Sequence, residues 1–514
     1  MKKISTYVCG LVLFIAFSSC DKNLNEININ KVNPTSLDPA LLLNNAIINT
    51  SFPTKTQIYE MSIVQQMVTP NGGVLAGGNF NQDSRDATSV SLWATYYQNV
   101  IKYTHDAITR SKDLPARANL YNMARIWQAY VFMMLTDTYG AIPYTEGGAG
   151  LTEQIFFPKY DQQQDIYGKL ITEFTEASAA LSSSGATETS DVLYGGDISK
   201  WKKLGYSLLL RAGMRISKVD ASKAQTTVQA AYAGGVITDN ADNAYMRHDA
   251  NYQNPAGGML NSTEAANWYL AKPFVDSLKN NNDPRLQAIA IRYKGATSGP
   301  SQTVDIGTTA PANQIGMPMG YDNGTIVAQA NADGLASFYD YSQLDRRRMA
   351  TVASPMYFVT AAQTLLQLAE ARFLGWITDG ATASQYFSNA IKAHMDQLST
   401  YHAGSVITAS DRDNFVTAHP LQDGQELSQI GTQYWISSFL NGPEAFANFR
   451  RTGYPALTPN SYDQPNNPDV PNGTFIRRIG YPTSELSVNS ENVQAAITLM
   501  GADKLSTRVW WDKQ

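Results

Sequence analysis

Cysteine is almost missing from this chain: Cys9 and Cys20 are the two in 514 residues. A fold of this length needs no disulfide staples, because a chain this long can bury a sufficient apolar core. Charge is also sparse. Asp, Glu, Lys and Arg make up 16% of residues, and the formal charge is −5. Without the positive charges of Lys2 and Lys3 it becomes −7. No basic stripe is present, which argues against a nucleic-acid partner. The histidines His105, His248, His394, His402 and His419 are scattered. His394 and His402 are eight apart and do not sit side by side on a helix, so a histidine metal site is not expected. There is no G-x-S-x-G elbow, no H-E-x-x-H, no Walker loop and no G-x-G-x-x-G. Long apolar runs are missing beyond the leader. The most apolar stretch, 124–135, is interrupted by Arg125 and Gln128.

The beginning of the chain is different. Lys2 and Lys3 precede an apolar run from Tyr7 to Phe17, and Ser18-Ser19-Cys20 follows. This is the layout of a secretory signal peptide. The run is shorter than the ~18 residues needed to span a bilayer. A cysteine directly after small residues fits lipoprotein processing, with cleavage before Cys20 and acylation of its thiol. Phe17 stands where Leu is more usual, and an ordinary signal peptide with a chance cysteine is the plainer alternative. If Cys20 is lipidated, no free thiol is left, and cysteine-type zinc sites and cysteine nucleophiles are excluded. Such a lipid anchors the chain to a membrane without spanning it. The expected organisation is a signal peptide at 1–19, a lipidated tether at 20–39, rich in Asn and carrying Pro34 and Pro39, and a single domain at 40–514.

What the chain does have is tyrosine, 28 residues, beside 18 Phe and 8 Trp. With abundant Asn, Gln, Ser and Thr, that chemistry suits neutral polar ligands. The plainer reading is that most tyrosines cap a helical core with their hydroxyls at its rim. Helical periodicity dominates from Ala40. Leu120, Met123, Trp127, Tyr130, Met134 and Leu135 share a face, as do Trp201, Leu204, Leu208 and Ala212, and Ala361, Leu365, Leu368 and Ala369. Further helices are predicted at 40–50, 56–68, 90–112, 162–182, 222–233, 264–279, 383–398 and 427–440. Helices joined by short turns suggest degenerate helical-hairpin repeats. Long irregular stretches lie at 70–89, 236–263, 292–356 and 452–494. Loops of this length are functional or poorly ordered, and their aromatics favour function.

Carboxylates carry no clear catalytic signal. A glycosidase pair is spatial rather than sequential, so the sequence leaves it open. Asp137 and Glu146 flank the Tyr139–Tyr144 segment, where Asp137 is expected to cap a turn. Glu370 is expected to accept hydrogen bonds from a neighbouring helix. Asp463 to Asp469 offers oxygen donors but lacks the spacing and final Glu of a calcium-binding loop.

Several segments together resemble the SusD/RagB family of outer-membrane nutrient-binding lipoproteins, in its SusD-like branch. They are Asn23-Leu24-Asn25-Glu26-Ile27-Asn28, Asn33-Pro34-Thr35, Ala124–Tyr130 and Thr136–Tyr144. Tyr194-Gly195-Gly196-Asp197 leads into Trp201–Leu204 and Arg211–Ser217. Later come Asp283-Pro284-Arg285-Leu286, Ala369-Glu370-Ala371, Gly375-Trp376 and Phe449-Arg450-Arg451-Thr452-Gly453-Tyr454-Pro455. Arg478–Pro482, Asn489 and Trp510-Trp511-Asp512 end the series. Each motif is weak alone, but the ordered set is specific. Ala141 departs from the family, which commonly has Asp there. The resemblance implies a mainly α SusD-like fold with about four degenerate tetratricopeptide-like helix pairs and long irregular insertions. It implies a non-enzymatic binder of oligosaccharides, or in some members peptides, with a SusC-like TonB-dependent transporter as partner and the outer membrane as location. No cofactor is implied. Most of the motifs are scaffold, with Arg211, Arg215, Arg450 and Arg451 holding carboxylates and backbone carbonyls.

Binding residues are sought in the irregular stretches, because sugar rings stack on aromatic faces and their hydroxyls need amide and charged partners. The candidates are Asn79, Phe80, Asp83, Arg85, Trp93, Tyr252, Trp268 and Tyr321. For Trp93 and Trp268 the competing role is helix-core packing. An all-helical glycoside hydrolase and a pure scaffold are the alternatives from other functional classes.

Overall fold

The computed structural model describes residues 37–72, 77–83, 90–150, 152–460, 462, 469–471 and 473–513. The signal peptide, Cys20, most of the tether, Arg85 and most of the Asp463–Asp469 stretch lie outside them. Helices make up 54% of the described residues, and the strands among them are few and short.

Among the described residues four helix pairs follow one another, with each packed on the next. They are Pro39–Asn49 with Lys102–Ser111, Ala118–Tyr139 with Gln163–Ala180, Ile198–Arg215 with Ala221–Gly234, and Ala361–Phe373 with Ala383–Gln397. Local chemistry sets their ends. Asp38 accepts the Ala40 N–H at 2.8 Å and opens the first helix. Thr360 with Gln363, and Thr382 with Gln385, form capping boxes that satisfy otherwise orphaned N–H groups. Glu426–Ser437 packs on the last pair, and Gly442–Thr452 packs on Thr54–Ile63, which closes the chain's end onto its beginning. One main core runs through all of these elements, from Ala40 to Trp511.

The arginine motifs hold this stack together. Arg215 lies 2.7 Å from Glu444 and 3.2 Å from Asp137, joining three helices. Arg211 donates to Gln363 Oε1 at 2.9 Å. Arg451 grips both oxygens of Glu370 at 2.6 and 2.7 Å. Arg450 donates to the carbonyls of Phe446 and Arg477. Glu370 therefore has the role its apolar helix face suggested. Asp137 does not cap a turn. It is buried and accepts from Tyr167 Oη and from Trp511 Nε1. Its helix instead ends at Gly140, where φ of +85° is a conformation that glycine adopts without strain.

The Tyr194–Asp197 motif is also structural. Asp191 accepts from the amides of Leu193, Tyr194 and Gly196 and from Trp201 Nε1. Asp197 then caps the next helix through the Ser199 and Lys200 amides.

Some helix boundaries differ from the periodicity. The segment 56–68 stops at Ile63, because Gln65 takes φ of +55° and Met67–Val68 pairs antiparallel with Tyr269–Leu270. The same pairing removes 264–271 from the helix expected there, which begins at Lys272 with Pro273 in its first turn. The 90–112 helix carries a π-turn at Tyr97–Ile101. Ala409–Ala418, Gly442–Thr452 and Ser490–Met500 are helices that were not anticipated. The 292–356 stretch is mostly irregular around the helix Thr325–Ala332, with Ala290–Tyr293 paired to Gly307–Thr308 and Gln343–Leu344.

Candidate functional site

Three irregular segments meet beside the helix Thr54–Ile63. The first is the short helix Gly77–Phe80. It lies close on the longer helix because Gly78 has no side chain; a Cβ there would stand 2.7 Å from that of Ser62. The second is the 319–322 stretch and the third is 458–460 with Tyr462. Asn79 ties the first two together. Its Nδ2 donates to the carbonyls of Thr69 and Tyr321, both at 3.0 Å, and its Oδ1 accepts the Gly320 N–H at 2.7 Å. Asn81, in the left-handed region at φ +51°, donates to Asn460 Oδ1 at 2.8 Å. Asn460 donates to the Gly78 carbonyl at 3.0 Å.

This convergence builds an aromatic platform. Phe80 and Tyr462 have ring centroids 4.4 Å apart, tilted by 31°. Tyr462 Oη donates to Asp322 Oδ2 at 3.2 Å. Asp322 is fixed in turn, with Oδ1 accepting the Gly324 and Thr325 amides at 2.9 Å each. The Thr325 N–H holds the Asp322 carboxyl below its usual range, and Tyr462 is pushed up by desolvation and by that carboxylate. Tyr321 donates to Gln329 Oε1 at 3.0 Å and leans on a small second core around Tyr269, Met317 and Ile326. The result is half-buried Tyr462 and Tyr321, an ionised carboxylate and a rim of asparagine amides. Asp83 is exposed beside them in sequence.

Of the sequence candidates, this arrangement brings together Asn79, Phe80 and Tyr321. Asn79 is fully buried and its amide is committed to backbone groups, so it supports the platform rather than facing a ligand. Phe80 backs Tyr462 and is itself buried. Trp93 belongs to a separate cluster with Tyr97, Tyr139, Tyr160 and Tyr481, at 4.9 to 6.0 Å. Trp268 is 3% exposed and packs in the main core, so its ring presents no face to solvent. Tyr252 is 54% exposed on a turn in which Asp249 accepts the Asn251 and Tyr252 amides. No hydrogen bond or ring contact joins Trp93, Tyr252 or Trp268 to the platform among the described residues. Sequence reading missed Tyr462, Asn460, Asn81 and Asp322. An amide two residues from a tyrosine in the 452–494 loop was the available signal.

Asp137 and Glu444 share the Arg215 guanidinium, which lies 3.2 Å from the first and 2.7 Å from the second. Burial pushes Asp137 up. Burial also opposes ionisation of Glu444, but the guanidiniums of Arg211 and Arg215 outweigh it and hold Glu444 low. No helix among the described residues is long and apolar enough to cross a membrane.

A family model described as SusD-like, starch-binding and associating with the outer membrane matches residues 30–482. Among solved structures, a chitin-binding protein is 29% identical with a TM-score of 0.80, over 93% of this chain and 100% of that one. A SusD-like protein from Bacteroidetes is 26% identical with a TM-score of 0.79, over 93% and 100% of the two chains. A chitin-binding SusD homologue from Flavobacterium johnsoniae shares the fold at 24% identity and a TM-score of 0.72, over 93% and 98%. No curated protein matches significantly. The chain belongs to the SusD-like family of nutrient-binding proteins associated with the outer membrane.

Proposed function

We propose that this protein binds oligosaccharides at the cell surface and passes them to a SusC-like TonB-dependent transporter, without catalysis. In this reading residues 40–514 act as one SusD-like domain on a lipidated tether that starts at Cys20. The observation that carries the ligand class is the Phe80–Tyr462 platform with the Tyr462 hydroxyl fixed on Asp322. A sugar's C–H face stacks on such a ring, and its hydroxyls find the Asp322 carboxylate and the half-buried Asn460 amide at the rim. The family's starch-binding description and the chitin-binding relatives support a saccharide over a peptide. Both starch and chitin are neutral polymers, which suits a site whose polar groups are mostly amides and hydroxyls.

Titration of the purified protein with malto- and chito-oligosaccharides tests the reading. Binding is expected, and Tyr462→Ala is expected to weaken it about tenfold, the value of one stacking ring. Asp322→Asn should weaken it less, because the amide oxygen can keep the Gly324 and Thr325 N–H groups while its Nδ2 donates to the Tyr462 hydroxyl oxygen. Absence of saccharide binding together with binding of a peptide mixture would overturn the oligosaccharide assignment. Steady hydrolysis of a bound sugar would overturn the non-catalytic one.

A further inference from the structure

A second aromatic groove shares no residue with the platform. The helix Val90–Tyr96 continues into Lys102–Ser111 through the π-turn Tyr97–Ile101. A π-turn is wider than an α-turn and recurs where a helix must aim side chains at a site. Here Gln98, five residues after Trp93, and Lys102, four further on, join Trp93 and Tyr97 along a cavity of about 510 Å³. That volume lies within the range of small-ligand sites. Phe156 and Glu485 complete it from other parts of the chain.

The groove is built and its polar groups keep hydrogen-bonding capacity. Phe156 is 71% exposed. Its segment is nonetheless pinned: Asn492 donates to the Phe157 carbonyl at 3.0 Å, Asn489 to the Pro158 carbonyl at 2.9 Å, and the Lys159 N–H to Glu146 at 2.7 Å. Trp93 is 6% exposed, yet its indole N–H makes no hydrogen bond to a described residue. The Gln98 amide makes none either, and Lys102 contacts only the Tyr103 ring, at 4.8 Å. Glu485 accepts from Tyr160 at 2.8 Å through one oxygen, which leaves the other. A solvent-facing phenyl ring beside balanced donors and acceptors, with one positive and one negative group, matches a neutral polyhydroxy ring better than an ion.

We propose that this groove is a second saccharide subsite, taking a neutral hexopyranose unit with its C–H face on Phe156 and its hydroxyls on Gln98, Lys102 and Glu485. The proposal rests on the oligosaccharide-binding reading above. Calorimetric titration with maltotetraose and chitotetraose tests it, using wild type, Phe156→Ala, Gln98→Ala and Tyr462→Ala. Phe156 and Gln98 are exposed, so their variants keep the wild-type melting temperature. Two binding events per chain are expected in the wild type. Phe156→Ala and Gln98→Ala should weaken one about tenfold and Tyr462→Ala the other. A single event that Tyr462→Ala weakens and both groove variants leave unchanged would overturn the subsite alone. So would groove variants that keep all sugar binding but no longer co-purify with a transporter barrel, since the groove would then be a docking face. No binding of either sugar or of a wider oligosaccharide panel by the wild type would overturn both readings.

Discussion

Glu60 is fully buried in the helix Thr54–Ile63, and neither of its oxygens is hydrogen-bonded to a described residue. Thr138 is close, but its hydroxyl donates to the Met134 carbonyl at 2.9 Å. Burial pushes the carboxyl up to about 8, only partly offset by the Arg450 charge. The unfolded chain loses this proton near its ordinary value of 4.5, while the folded chain keeps it until about 8. Stability therefore falls with rising pH across that window, and the penalty is complete above it. Glu60→Gln keeps the shape and removes the titration. It should stabilise the protein by on the order of 4 kcal/mol at pH 9 and by little at pH 4. Melting temperatures at the two pH values check this, and an equal difference at both would show that Glu60 is ionised in the fold. The opposite case is Glu370, whose charge is paired. Glu370→Ala strands the Arg451 guanidinium in the core and should cost about 3–5 kcal/mol. Adding Arg451→Met should recover much of that loss. Denaturant unfolding of the single and double variants decides it, and a double variant worse than the single would refute the pairing argument.

At the scale of elements, the helical stack was legible because its apolar residues repeat with a helical period. The set Leu120, Met123, Trp127 and Tyr130 is buried as that period requires. The role of the arginines followed from the family resemblance, and its physical reason is that a guanidinium within an apolar core needs a partner. The short strands were not legible, since two-residue pairings such as Met67–Val68 with Tyr269–Leu270 leave no periodic trace. The platform was only half legible. Asn79, Phe80 and Tyr321 stood out as polar and aromatic groups in a loop, but which of them faces solvent depends on contacts 240 or more residues apart. Asn79 shows why. Its three hydrogen bonds convert two loops into one surface, and no local pattern encodes that. Asn79→Ala leaves the Gly320 N–H and the Thr69 and Tyr321 carbonyls to find other partners, which should cost about 1–3 kcal/mol. Amide exchange should accelerate at Gly320 first, and saccharide affinity should fall although Asn79 touches no ligand. Unchanged exchange around Gly320 would mean that something other than Asn79 holds the loops together.

At the scale of the whole molecule, the proposed role depends on keeping a globule near a barrel. In the proposed role, a lipid on Cys20 would be joined to the first described helix, at Pro39, by a chain that can reach roughly 60 Å when fully extended. Two partners held in one membrane within that reach meet at a high effective concentration, so even a modest contact between them persists. The contact also has to be releasable if the globule is to admit ligand, which favours a polar rim over a large greasy one. Cys20→Ala separates the two contributions. Without the lipid, the protein should leave the membrane fraction or accumulate unprocessed, while its saccharide affinity in solution stays at the wild-type value because the platform is far along the chain from Cys20. Recovery with a detergent-solubilised transporter should drop steeply, since the effective-concentration term is gone and only the bare contact remains. If Cys20→Ala fractionates with membranes as the wild type does, the anchor lies elsewhere. If it still co-purifies with the barrel at full yield, the contact alone is strong enough, and the tether's part in holding the pair together is refuted.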